Sequence, residues 1–79
     1  MKNEREFKLI IDEKKAIDDK FDAYGDVAMY ALNKAREYIS YGDGVKASFY
    51  NEIAERCIDE RQGCVQDLDI IIERLKGLV

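Results

Sequence analysis

The chain has 79 residues, 17 acidic and 13 basic, for a formal charge of −4; 47 % are hydrophobic and 38 % charged. That balance is too apolar for intrinsic disorder and too interrupted by charge for a membrane span, and the length reads as one helical domain over 1–79. His, Pro, Trp and Thr are absent, which excludes a His-based triad, an imidazole general base and the usual zinc or di-iron ligand sets.

Residues 1–6 have no apolar core behind a basic start, so they do not read as a secretory signal. Asn3 followed by Glu6 has the spacing of a capping box and predicts a helix from about residue 4. Beyond it, apolar residues recur every seven positions. With heptad position a at Phe7, the a series is Phe7, Lys14, Phe21, Ala28, Ala35 and the d series is Ile10, Ile17, Tyr24, Ala31, Tyr38. Ile11, Leu32 and Ile39 fall at e and widen the stripe to the face of a bundle helix. The pattern predicts one helix over about 4–41.

Tyr41-Gly42-Asp43-Gly44 is the one dense turn signal. Two glycines around an Asp suit a left-handed helix stop and a short connection over about 42–44. The period then resumes. One series is Tyr50, Cys57, Cys64, Ile71, Leu78 and its partner is Ala47, Ala54, Arg61, Leu68, Leu75, giving a second helix over about 45–76. Arg74 and Lys76 complement the dipole at its end, with Gly77 beyond.

The fold class is therefore all-α, a long antiparallel helical hairpin. Folding at the turn places residue i opposite residue 88−i, so that Ile17 meets Ile71 and Tyr38 meets Tyr50, with Lys14 near Glu73 and Arg74. Further apolar residues at Phe49, Ile53, Ile58, Val65, Ile70 and Ile72 leave a flank that one hairpin cannot cover. Pairing into a dimeric four-helix bundle would cover it, and a homodimer is expected. The alternative is a compact three- or four-helix single chain, broken at Gly25 and Gly63, where glycine costs a helix about 1 kcal/mol relative to alanine. The heptad phase crosses Gly25 without slip, which favours continuity.

Four groups of residues are candidates for function. Gly25 and Gly63 face each other in the expected register, with Asp26, Glu60 and Arg61 beside them: a polar waist, serving either as a notch for a partner or as an ionic layer fixing register. Tyr38, Tyr41, Phe49 and Tyr50 gather at the turn, where Tyr38, Phe49 and Tyr50 read as a plug. Tyr30, Tyr41 and Asp43 read as exposed, partner-binding residues. Asp18, Asp22 and Asp26, four residues apart, have a spacing that suits a hard cation but lie mostly toward solvent. Glu52 and Glu55 resemble in spacing the ExxE of all-α nucleotide pyrophosphohydrolases, but the second pair is missing, since Lys76 stands three residues after Glu73. Cys57 and Cys64, two turns apart on one helix face, are too far apart to bridge and read as small buried residues in a reducing cytoplasm.

No basic stripe accumulates, so direct nucleic-acid binding is not expected, and neither is a membrane, a metal or a cofactor. What remains is a small acidic, non-enzymatic interaction module, an adaptor or inhibitor that binds or occludes a protein partner. It has the size of many bacterial and phage accessory proteins. The alternatives are a carboxylate- and Mg²⁺-dependent helical hydrolase, or an acidic mimic of nucleic acid that blocks a nucleic-acid-binding protein.

Overall fold

The computed structural model describes residues 2–78, which form two helices, α1 (Lys2–Ser40) and α2 (Gly44–Lys76), with no strand among the described residues. They pack antiparallel into a rod of 62 × 14 × 12 Å with a radius of gyration of 18.0 Å. A compact chain of this length would have a radius of gyration of about 12 Å. Both helices run through their internal glycines: Gly25 lies within α1 and Gly63 within α2. The broken, compact alternative is therefore not the fold. Without proline, nothing removes a backbone donor along either helix, and the cost of glycine is offset by the seam that continues on both sides. Among the described residues, neither helix is long and apolar enough to cross a membrane.

The helix ends follow from local chemistry, with one departure. Helix α1 is already formed at Lys2, so Asn3 lies inside the helix and the expected Asn3–Glu6 capping box is not its start. At the other end Gly42 adopts φ +75°. The Gly42 N–H donates to the Ile39 carbonyl (3.0 Å) and the Asp43 N–H to the Tyr38 carbonyl (2.8 Å), a Schellman closure that satisfies the last carbonyls of α1. Asp43 then caps α2, its carboxylate accepting from the Lys46 N–H at 3.1 Å. One tetrapeptide thus ends one helix and starts the next.

The expected register holds along the rod. Tyr38 and Tyr50 stack with ring centroids 5.6 Å apart and planes 7° from parallel, and Ile17 and Ile71 line one groove. The ion pair across the open end differs from expectation. Lys14 turns back along α1 to Asp18 (2.6 Å), and it is Glu13 that receives Arg74, at 2.7 Å. Asp18 stands one turn from Lys14 on the same helix face, so it reaches the ammonium before a carboxylate of α2 does.

The core is narrow. Among the described residues nine hydrophobic ones are buried, and seven of them are Ala or Cys: Ala28, Ala31, Ala35, Ala47, Ala54, Cys57 and Cys64, with Ile10 and Ile71 the only large ones. Small seam residues bring the helices close but remove little apolar area from water. The Glu13–Arg74 bridge fixes the rotation of the helices: with Ala47 and Tyr50 opening the a and d series of α2, both partners occupy g. The g positions of both helices therefore share one flank and the e positions the other, as in an antiparallel coiled coil. The g flank is mostly charged, with Glu6, Glu13, Lys20 and Lys34 from α1 and Lys46, Glu60, Asp67 and Arg74 from α2, interrupted by the exposed Val27 and the half-buried Ile53. The e flank carries Ile11, Leu32 and Ile39 from α1 and Ile58, Val65 and Ile72 from α2, all exposed.

Candidate functional site

At the waist, the structure brings together only part of the expected group. Arg61 projects from α2 onto α1, where its Nε–H donates to the Phe21 carbonyl at 3.2 Å and its guanidinium lies 3.9 Å from the centroid of the Phe21 ring. A Cβ on Gly25 would stand 3.0 Å from the Arg61 Cζ. Gly25 thus leaves the backbone one turn earlier open, so that the guanidinium can lie flat on the helix and engage both the carbonyl and the aromatic face. Phe21 is the residue that sequence spacing did not single out. It reads as an ordinary seam aromatic, and nothing in a heptad marks a carbonyl as an acceptor.

The expected approach of Gly25 to Gly63 does not occur. Gly63 is exposed, with nothing within 4 Å of where its Cβ would be. Asp26 is exposed at the rim of a notch that it shares with Asp22, Gly25, Met29 and Arg61. Glu60 is exposed at g, on the charged flank. Arg61 forms no ion pair among the described residues; the hydrogen bond and the ring hold it.

The aromatic end has a half-buried part and an open part. Tyr38 and Tyr50 form the stack, with the Lys46 ammonium 5.2 Å from the Tyr38 centroid. Phe49 meets Tyr50 edge-on at 5.4 Å but remains 58 % exposed, so it is not part of a closed plug. Its position on the outward side of α2 decides this, and the local aromatic cluster does not override it. Tyr41 meets Tyr38 edge-on at 6.3 Å and is 70 % exposed, and Tyr30 is 58 % exposed. Around Tyr30, Lys34 places its ammonium 5.8 Å from the ring and pairs with Glu37 at 3.3 Å. The Glu37 carboxylate, first by hydrogen bond and then by charge, holds the Lys34 ammonium above its ordinary pKa. Asp43 is half-buried, with its carboxylate engaged in the helix cap.

The carboxylates do not converge. Asp18 is taken by Lys14, and among the described residues no three Cys, Asp or Glu side chains are grouped to hold a metal ion. Glu52 and Glu55 line a shallow groove with Phe49, Ile53, Arg56 and Asp59, all on α2. Both cysteines are buried free thiols. Comparison with protein-family models, with curated proteins and with solved structures returned no match.

Proposed function

We propose that the chain is a small acidic interaction module, an adaptor or inhibitor that works as a homodimer and binds or occludes a protein partner without covalent chemistry. The observation that carries this reading is the apolar surface that the hairpin leaves open. Among the described residues fifteen large hydrophobic side chains are exposed, against nine buried hydrophobic residues. Exposed apolar surface on that scale marks sites where another macromolecule packs.

The homodimer would cover part of that surface, leaving the aromatic turn end for the partner. There Tyr41 and Tyr30 present rigid rings with a hydroxyl tip, the kind of anchor that dominates interface energetics. Asp43 would act by fixing the turn that carries Tyr41. The setting is the cytoplasm, where Cys57 and Cys64 would stay reduced.

Affinity capture from native lysate at low and high salt, with wild type and Tyr41→Ala side by side, tests the reading. A specific protein retained by wild type, lost with Tyr41→Ala and accompanied by an unchanged melting temperature supports it. Equal retention by both chains removes Tyr41 from the interface. A melting temperature that falls by more than a few degrees makes Tyr41 a packing residue instead.

A further inference from the structure

We infer that a second copy of this chain covers the e flank, and that the two hairpins associate about a two-fold axis parallel to the rod, with both turns at the same end. The inference rests on the dimeric reading above and adds the face and the orientation. The chain exposes 6227 Å², whereas a globular monomer of 9.2 kDa exposes about 4,900 Å². The excess of about 1,300 Å² per chain falls within what each partner of an obligate homodimer buries, about 1,000–2,500 Å².

The exposed apolar side chains also concentrate on one flank of the seam. Ile11, Leu32, Ile39, Ile58, Val65 and Ile72 stand on the e flank, each 38–62 % exposed, while the g flank is mostly charged and bridged by Glu13 and Arg74. Only the e flank can be buried against its own copy without stripping water from a row of charges. It is not uniformly apolar: the Lys14–Asp18 pair and Arg61 over Gly25 lie along it. Both are already satisfied within the hairpin, and polar groups of this kind in an apolar seam set register.

Charge gives the orientation. The rim outside the e flank is formed by position b, where α1 carries Lys15 and Arg36 and α2 carries Glu55 and Asp69. All four are exposed, and none has an ion-pair partner among the described residues. With the turns at the same end, α1 of one copy lies beside α2 of the other. Summed along the rim, this sets the three bases and one acid of α1 (Lys8, Lys15 and Arg36 with Asp22) against the two acids and one base of α2 (Glu55 and Asp69 with Lys76) of the second copy, twice over by symmetry. Asp22 and Lys76 depart from the pattern, and Lys76 is already paired with Glu73. With the turns at opposite ends, basic rim would meet basic rim and acidic would meet acidic.

Light scattering at about ten and a hundred micromolar, with circular dichroism, tests the face on three chains: wild type, Leu32→Glu/Ile58→Glu, and Leu9→Glu/Ile70→Glu, whose substitutions lie on the outer faces. The expected result is a dimeric wild type, a dimeric and helical outer-face variant, and an e-flank variant that is monomeric, whether still helical or unfolded. A monomeric wild type overturns the dimer and this inference with it. An e-flank variant that stays dimeric, or an outer-face variant that dissociates equally, overturns the face while leaving the dimer standing. A spin-labelled unnatural residue at Ser40 then reads the orientation. Helices about 10–12 Å across put the two labels about 20–30 Å apart if the turns share an end. A separation approaching the 62 Å length of the rod overturns that orientation.

Discussion

The two halves of the rod are held by different means. Near the turn the seam is Ala28, Ala31 and Ala35 against Ala47, Ala54 and Cys57, ending at the Tyr38–Tyr50 stack. Toward the free ends it is Ile10 and Ile17 against Ile71, flanked by the Glu13–Arg74 bridge. The first half gains from closeness, because small side chains let the helices approach and a capped turn holds them there. The second gains from bulk, because large aliphatic side chains bury more area per residue. A short hairpin of either kind alone would be marginal. Joined, they place the close-packed small-residue seam beside the turn and the aliphatic seam toward the other end of the rod.

The largest effects should come from breaking each half by its own means. Ile10 is 1 % exposed, and Ile10→Ala should cost about 2–5 kcal/mol by leaving a cavity. In the turn half the damaging change is the opposite one: Ala31→Leu, also at a 1 % exposed site, should cost about 1–3 kcal/mol by forcing the helices apart. Urea denaturation at fixed protein concentration measures both. A neutral Ala31→Leu would mean that the turn half is not close-packed, and the contrast would fail.

The turn itself should come next. Gly42→Ala meets no atom within 4 Å, but the residue must hold φ +75°, so the change should cost about 1–2 kcal/mol through the backbone alone. Asp43→Ala should cost about 1 kcal/mol by removing the cap. Thermal melts of both variants check this. If neither moves the midpoint, the turn is not what stabilises that half.

The two internal glycines separate the halves more finely. Gly63 faces open space, so Gly63→Ala should stabilise by about 1 kcal/mol, the full helix-propensity difference. Gly25→Ala should gain less or nothing, because the new methyl group displaces the Arg61 guanidinium. In an Arg61→Ala background the gain at Gly25 should return, a non-additivity that a double-mutant cycle reads directly. Equal gains at both glycines in the wild-type background would show that Arg61 does not need the space.

Most of the architecture was legible because the seven-residue series crosses Gly25 and Gly63 without changing phase, and because Gly42-Asp43 is a strong stop-and-start signal. The register followed from the turn, which leaves little slack in a two-helix chain. The distribution of apolar residues over the two flanks was not legible. Ile53 and Ile58 look alike in the sequence, yet one lies half-buried on the charged flank and the other exposed on the apolar one, because five positions rotate a side chain across the helix. The waist was half legible for a similar reason. Gly25 marks a close approach, but spacing alone does not show that what approaches is a guanidinium from position 61, seeking a carbonyl and a ring, and not the glycine at 63.

The smallest expected effect tests which force closes the free ends. The Glu13–Arg74 bridge is short, at 2.7 Å, but its side chains are 53 % and 47 % exposed, and water screens a pair of that kind to about 0.2–1 kcal/mol. Glu13→Gln should therefore lower stability by only a few tenths of a kcal/mol, and the difference from wild type should vanish in 1 M salt, where the screening length falls to about 3 Å. Denaturation of both chains at low and high salt makes the measurement. A loss comparable to that of Ile10→Ala would mean that charge, and not the Ile10–Ile17–Ile71 seam, holds the open half. The division between a close-packed half and a bulk-packed half would then become one between a packed half and a bridged one.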